Sequence, residues 1–177
     1  PWTLPANVAV MVHPEFDYAR VELDGEILIM ALERVREVLD PLGARYRIVE
    51  VVKGRELVGL EYEHPLADEV PVQSRLENAH KIVPSEYVKR GEGTGCVHAA
   101  PGHGEEDFEV CTRYGMPVLC PVDDEGKFTR EAGEYAGVPV REANEAIIRD
   151  LENKGLLLRK ETIVHRYPVC WRCKTPL

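Results

Sequence analysis

The stretch Gly93–Phe108, GTGCVHAAPGHGEEDF, constrains the fold more than any other part of the chain. A backbone this rich in glycine is shaped for positive φ or for close approach to a neighbour, and few of its side chains could fill a core. Cys96–His98 reads as a short strand, AAPGHG as a turn, and Glu105–Tyr114 as a helix closed by Gly115, with Phe108, Cys111 and Tyr114 spaced for one face. That order puts the Asp107 carboxylate in the first helical turn, beside unpaired backbone N–H groups and the positive end of the helix dipole. Whatever the remaining residues build must present this loop.

Strands outnumber helices along the rest of the chain. Val8–Val12 is a short apolar run suited to a buried strand. Tyr18–Leu23 and Glu26–Met30 flank Asp24-Gly25, the dipeptide that most favours a two-residue hairpin turn. Ala31–Leu39 has helical spacing, with Leu32, Val35 and Leu39 on one face and Pro41 and Gly43 at its end. Tyr46–Val52 and Leu57–Tyr62 read as strands parted at Gly54. His64–Val83 reads as connection ending in a strand at Lys81–Val83, and Val118–Pro121 as a further strand. Asp123–Gly137 is a glycine-rich hairpin or loop. Arg141–Asn153 is a helix with Ala143, Ile147 and Leu151 inward and Gly155 as its cap, and Leu156–Val164 is a last strand. The sum is an α+β domain with a mostly antiparallel, β-barrel-like core and a few peripheral helices.

Charge and cysteine usage narrow the function. Thirty-one acidic against twenty-two basic residues give a net charge of −9, which disfavours gripping long nucleic acid by its phosphates but leaves room for one single-stranded end in a pocket. Five cysteines, odd in number and irregularly spaced, argue against a disulfide scaffold. No apolar run approaches a membrane span and no signal peptide is evident, so the expectation is a cytoplasmic protein without membrane contact. The opening PWTLPAN and the closing PVCWRCKTPL are abrupt, which reads as one domain, residues 1–177, excised from a longer protein.

Three chemistries fit the loop. Cys96, His98, His103 and Asp107 are all permissible zinc ligands, but their spacing matches no helix-borne zinc motif, and the deaminase pattern fails because position 100 is Ala. A phosphate cradle at Gly93-Thr94-Gly95 or Gly102-His103-Gly104 would face carboxylates at 105, 106, 107 and 109. A pocket for a cationic group, with Asp107 recognising an ammonium and His98 orienting a polar substrate, meets neither objection. The plain structural alternative is that Asp107 only caps its helix and His98 fills a polar gap. Cys170-Trp-Arg-Cys173 is half of a four-cysteine zinc knuckle whose other half this chain does not hold.

PWTLPAN, GTGCVHAAPGHGEEDF, HRYPVCWRCKTPL and the Gly54-x-x-Leu57-x-Gly59-x-x-Tyr62-x-x-Pro65-Leu66 pattern together resemble the connective-peptide editing domain of isoleucyl-tRNA synthetases, a class I aminoacyl-tRNA synthetase family. The resemblance covers essentially the whole chain in the right order. It implies a domain inserted into a Rossmann-type catalytic body that attaches isoleucine to tRNA(Ile) with ATP. It also implies hydrolysis of valine wrongly esterified to that tRNA, and of valyl-adenylate. Such a second sieve is needed because one methylene discriminates only about a hundredfold, a limit for which this family is the standard worked example.

Residue by residue, the resemblance implies that Asp107 holds the substrate ammonium and that the bulk of His98 admits valine and excludes isoleucine. Thr3 and Asn7, with Pro1 and Trp2, would surround the ester and terminal adenosine, while Gly93, Thr94 and Gly95 line the adenosine side and His103 joins the binding residues. Water would attack without a metal, aided by positioning and the ribose hydroxyl. Cys170 and Cys173 would be half of a split structural zinc site, at the end of a segment (165–177) leading back to the body. Zinc, ATP and magnesium are then expected only in the parent enzyme. The expected partners are the aminoacylated 3′ end of tRNA(Ile), valine or valyl-adenylate and the rest of the synthetase, with the protein a monomer. The alternative from a different class is a zinc-dependent hydrolase or deaminase using Cys96, His98 and His103. A third possibility is a non-catalytic module that binds RNA ends.

Overall fold

The computed structural model describes residues 1–162 and 170–172. Its strands are β1 (Ala9–Val12), β2 (Asp17–Leu23), β3 (Glu26–Ala31), β4 (Tyr46–Lys53), β5 (Lys81–Pro84) and β6 (Cys96–Ala99). Its helices are α1 (Val35–Leu39), α2 (Gly54–Leu57), α3 (Glu105–Arg113) and α4 (Val140–Asn153), joined by several 3-10 turns.

The strands form two three-stranded sheets. In the first, β1 is central, parallel to β5 with Ala9 opposite Lys81, and antiparallel to β6 with Val10 opposite His98. In the second, β2 is central and antiparallel to both β3 and β4, with a bulge between Arg20 and Val21. The β2–β3 turn is the one expected: Asp24 and Gly25 both take positive φ (50° and 89°), as a type I′ turn requires.

Side-chain alternation sorts the first sheet into two apolar faces. Ala9, Met11, Val83 and Ala99 pack with Val110 and Cys111 of α3. On the opposite face Val12, Ile82 and Cys96 meet Tyr18, Ala31 and Leu57. The second sheet covers its own core of Ala19, Val21 and Met30 with Val35, Val38 and Leu39 of α1. A fourth cluster joins α4, through Ala143 and Ile147, to Leu66, Val70, Phe128 and Tyr135, and the N-terminal residues Trp2 and Leu4 pack against it.

The α+β architecture with mostly antiparallel pairing is as expected, but among the described residues the sheets stay separate and no barrel closes. The expected strand at Leu57–Tyr62 does not form: Leu57 ends the single helical turn α2, Val58 and Gly59 turn, and Glu61 makes one isolated bridge to Lys81. The Glu56 side chain accepts from the Lys53 N–H at 2.8 Å and closes that turn, and Gly59 at φ 87° breaks any regular strand beyond it. Residues 59–62 still run beside β5, with Gly59 N–H donating to Ile82 O and Tyr62 N–H to His80 O. Val118–Pro121 takes no regular form, and its Leu119–Cys120 stretch lies against Gly102. Residues 156–162 take no regular form, and the end of that expected strand lies outside the described residues. Two inward faces also differ. Val38 rather than Leu32 is buried in α1, and in α3 Val110 accompanies Cys111 while Phe108 and Tyr114 are exposed.

Candidate functional site

β6 delivers His98 to the edge of the first sheet, and the residues just before β1 lie across it. Thr3 Oγ1 is 3.0 Å from His98 Nε2. Asn7 Nδ2 stands 3.5 Å from His98 Nδ1 and donates to Ala9 O at 2.8 Å. Residues more than ninety positions apart thus share one imidazole. Burial holds His98 below the usual imidazole range, partly offset by the Asp107 carboxylate, so the ring is neutral at physiological pH.

Beyond β6 the chain turns through Ala100–Gly104, where His103 and Gly104 N–H groups both donate to Ala100 O. Two glycines make this turn possible by close approach. A Cβ on Gly102 would sit 2.3 Å from Leu119 O, and one on Gly104 would sit 2.8 Å from Asp107 Oδ2. Asp107 occupies the first turn of α3 with Glu105 and Glu106, and its Oδ2 accepts from the Ala100 N–H at 2.9 Å. The carboxylate therefore ties the helix start back to the strand end, a firmer constraint than a cap within its own helix. His103 meets the Trp2 ring edge-on at 4.9 Å, and its buried Nε2 has no hydrogen-bond partner. Trp2 is fixed by its N–H donating to Asn144 Oδ1 at 2.9 Å.

The structure so brings Trp2, Thr3, Asn7, His98, His103 and Asp107 to one corner, with Pro1 exposed at its margin. Gly93, Thr94 and Gly95 sit at the other end of β6 and engage the hairpin sheet. Thr94 O accepts from Ala31 N–H, Gly95 O from the Tyr18 hydroxyl and Gly93 O from Arg34 Nε. The zinc set comes apart. Cys96 turns into the apolar cluster around Tyr18, where burial pushes its thiol up to about 11, and His103 faces Trp2. Among the described residues no group of three or more His, Cys, Asp or Glu side chains could hold a metal ion. Cys170 is described, but Cys173 lies outside the described residues. No described helix is long and apolar enough to cross a membrane.

Behind the N-terminal segment lies a polar support that the sequence does not announce. Gln73, fully buried, donates through Nε2 to Pro5 O at 2.7 Å and to Asn7 O at 3.1 Å, and its Oε1 faces His80 Nε2 at 2.9 Å. His64 accepts from the Leu66 N–H through Nδ1 and must then donate through Nε2 to Leu4 O, 3.1 Å away. Burial lowers the His64 pKa to about 4. The Tyr62 hydroxyl reaches Asn7 Oδ1 at 2.5 Å. Tyr62, His64, Gln73 and His80 also line a cleft of 710 Å³ on the far side of the segment, with Lys154 at its rim. The only sequence signal for this support is a polar stretch lying between Leu57 and Val83 with two histidines in it.

No family model matches the chain. Over its full length the chain is 56% identical to the isoleucine–tRNA ligase of Methanothermobacter marburgensis and 55% identical to that of Sulfolobus acidocaldarius, covering 16% and 17% of those proteins. It thus spans about a sixth of the length of the curated relatives it matches. Two solved structures share its fold. The crystal structure of GlLeuRS-CP1 superposes with a TM-score of 0.68 at 16% identity, over 95% of this chain and 81% of that one. The P. knowlesi cytosolic leucyl-tRNA synthetase editing domain superposes with a TM-score of 0.61 at 13% identity, over 87% and 78%.

Proposed function

We infer that this chain, whose homologues are isoleucine–tRNA ligases, is an editing domain that hydrolyses the ester of wrongly attached valine on tRNA(Ile), and valyl-adenylate as well. The observation that carries this reading is the convergence of Thr3 and Asn7 from the N-terminal segment with His98 and Asp107 from the middle of the chain onto one corner of a fold shared with synthetase editing domains.

Asp107, aimed by the Ala100 N–H and set in the first turn of α3, is the anion for the substrate ammonium. His98, neutral and half-buried, offers an uncharged wall to an aliphatic side chain. Thr3 and Trp2 flank the ester and the terminal adenosine. Water adds to the ester carbonyl and the ester C–O bond breaks; one water proton passes to the ribose oxygen, the other to solvent, and valine leaves as its carboxylate. This hydrolysis rests on side-chain positioning, with no cofactor at the ester. The remaining partner is the rest of the synthetase, which would hold the tRNA body, consistent with the net charge of −9 here.

The test places this segment in the full-length Methanothermobacter marburgensis ligase, in exchange for its own. Asp107→Ala should slow release of valine from Val-tRNA(Ile) by about 100-fold or more, because a misplaced ester loses its orientation. Release at the unsubstituted rate would remove Asp107 from the role and with it the reading.

A further inference from the structure

We propose that Tyr62 is a positioning residue which, through Asn7, fixes the His98 proton on Nε2 and so leaves the Thr3 hydroxyl as a donor towards bound substrate. Four residues from three separate stretches, Tyr62, Asn7, His98 and Thr3, make one directional chain of hydrogen bonds. Its orientation is settled at Asn7. The Asn7 Nδ2 lies 2.8 Å from Ala9 O and 3.5 Å from Ala99 O, and a carbonyl can only accept, so this side of the carboxamide is the NH2. Oδ1 is then the atom facing the Tyr62 hydroxyl at 2.5 Å, and Tyr62 must donate.

The same NH2 is the Asn7 group nearest His98, 3.5 Å from Nδ1. At that distance the contact is weak, and its sense follows from the orientation of Asn7: an NH2 opposite Nδ1 disfavours a proton there. A neutral imidazole carries one proton, so it sits on Nε2 and points at Thr3 Oγ1, 3.0 Å away. Thr3 then accepts from His98, and its own hydroxyl proton turns elsewhere. In this state His98 cannot act as a base towards Thr3. Burial raises the Tyr62 pKa, so its hydroxyl remains a donor across the physiological range.

Tyr62 is suited to the task because it is tethered at both ends. Its backbone N–H donates to His80 O, and its ring lies 5.6 Å from the His80 ring. Removal of the hydroxyl leaves Asn7 Oδ1 buried without that partner, and the carboxamide gains freedom to turn.

The consequence for catalysis rests on the proposed editing reaction, whereas the proton position does not. The decisive measurement is the 15N chemical shifts of the His98 ring in this chain, without tRNA. They should show the Nε2–H form, with the Nδ1–H form below about a tenth. In Tyr62→Phe the Nδ1–H share should rise severalfold, and in Asn7→Asp, where no NH2 faces the ring, it should dominate. A predominant Nδ1–H form in the unsubstituted chain overturns the proposal, and so does a ratio unmoved by Tyr62→Phe. Should Tyr62→Phe fail to fold, the unsubstituted chain and Asn7→Asp decide between the same two outcomes. A chain with the expected shifts but no valine release would lose the editing reading and keep this one.

Discussion

The two sheets are equal in strand number and opposite in what they enclose. The hairpin sheet buries Ala19, Val21, Met30 and the α1 side chains and keeps its charges outside, as the pairs Arg20–Glu50, Arg47–Glu22 and Lys53–Asp17. Tyrosine hydroxyls aside, the sheet centred on β1 is flanked by the buried polar side chains among the described residues: Asn7, His64, Gln73 and Ser85. A buried polar group costs free energy unless it is paired, so such groups persist where they set geometry. The contrast separates a sheet that supplies stability from one that holds a segment in place.

Acid should break this contrast most strongly. Above pH 6.5 His64 is neutral whether the chain is folded or not. As pH falls from 6.5 towards about 4, only the unfolded chain takes up the proton, so stability is lost across that window. For His64 alone the loss reaches about 3 kcal/mol. His80, His98 and His103, also lowered by burial, push in the same direction. Denaturant titrations at pH 7 and pH 4.5 should show the fall, and His64→Gln should flatten it. An equal slope in both proteins would mean that His64 is not the buried neutral group described.

Gln73→Ala comes next. It strips partners from Pro5 O, Asn7 O and the His80 ring at once, and should cost about 2 kcal/mol. The fall should appear in the urea midpoint with an unchanged slope. A loss below a few tenths would place water, rather than Gln73, as the real partner of those carbonyls. The smallest effect belongs to the hairpin sheet. Arg47→Ala removes an ion pair in solvent and should shift stability by no more than about 0.5 kcal/mol. A change as large as that of Gln73→Ala would erase the distinction between the sheets.

The hairpin sheet was also the more legible of the two. Asp24-Gly25 states its turn chemically, and alternation in the flanking strands fixes which residues go inward, so β2 and β3 follow from local rules. α4 was equally plain, with Ala143 and Ile147 buried on the expected stripe. The apolar run at Leu57–Tyr62 misled because its form is decided by distant partners, the edge of β5 and the His13 carbonyl against which Gly54 packs. His98 and Asp107 stood out from the chemistry of the loop and Thr3 was named through the resemblance, and the geometry brings Thr3 and His98 into contact. The supporting residues were not named for any role. Nothing in the spacing of Tyr62, His64 and Gln73 says that the first is half-buried and the other two buried, and a polar stretch between two strands reads as surface connection. Only the fold reveals that the N-terminal segment lies over them.

The central position of β1 has a further consequence, in time. Its two neighbours are β5 and β6, so Ala9 waits for Lys81 and Ala99 before either of its ladders can form. The hairpin sheet closes on residues 17–53 alone and can form as soon as they are available. At ribosomal speed the gap between Lys53 and Ala99 takes on the order of a few seconds. Loop closure of that length also slows the later step in a free chain. The corner that gathers Thr3, Asn7 and His98 is therefore among the last parts to assemble, and slow or incomplete folding would show first as disorder there beside an otherwise ordered hairpin.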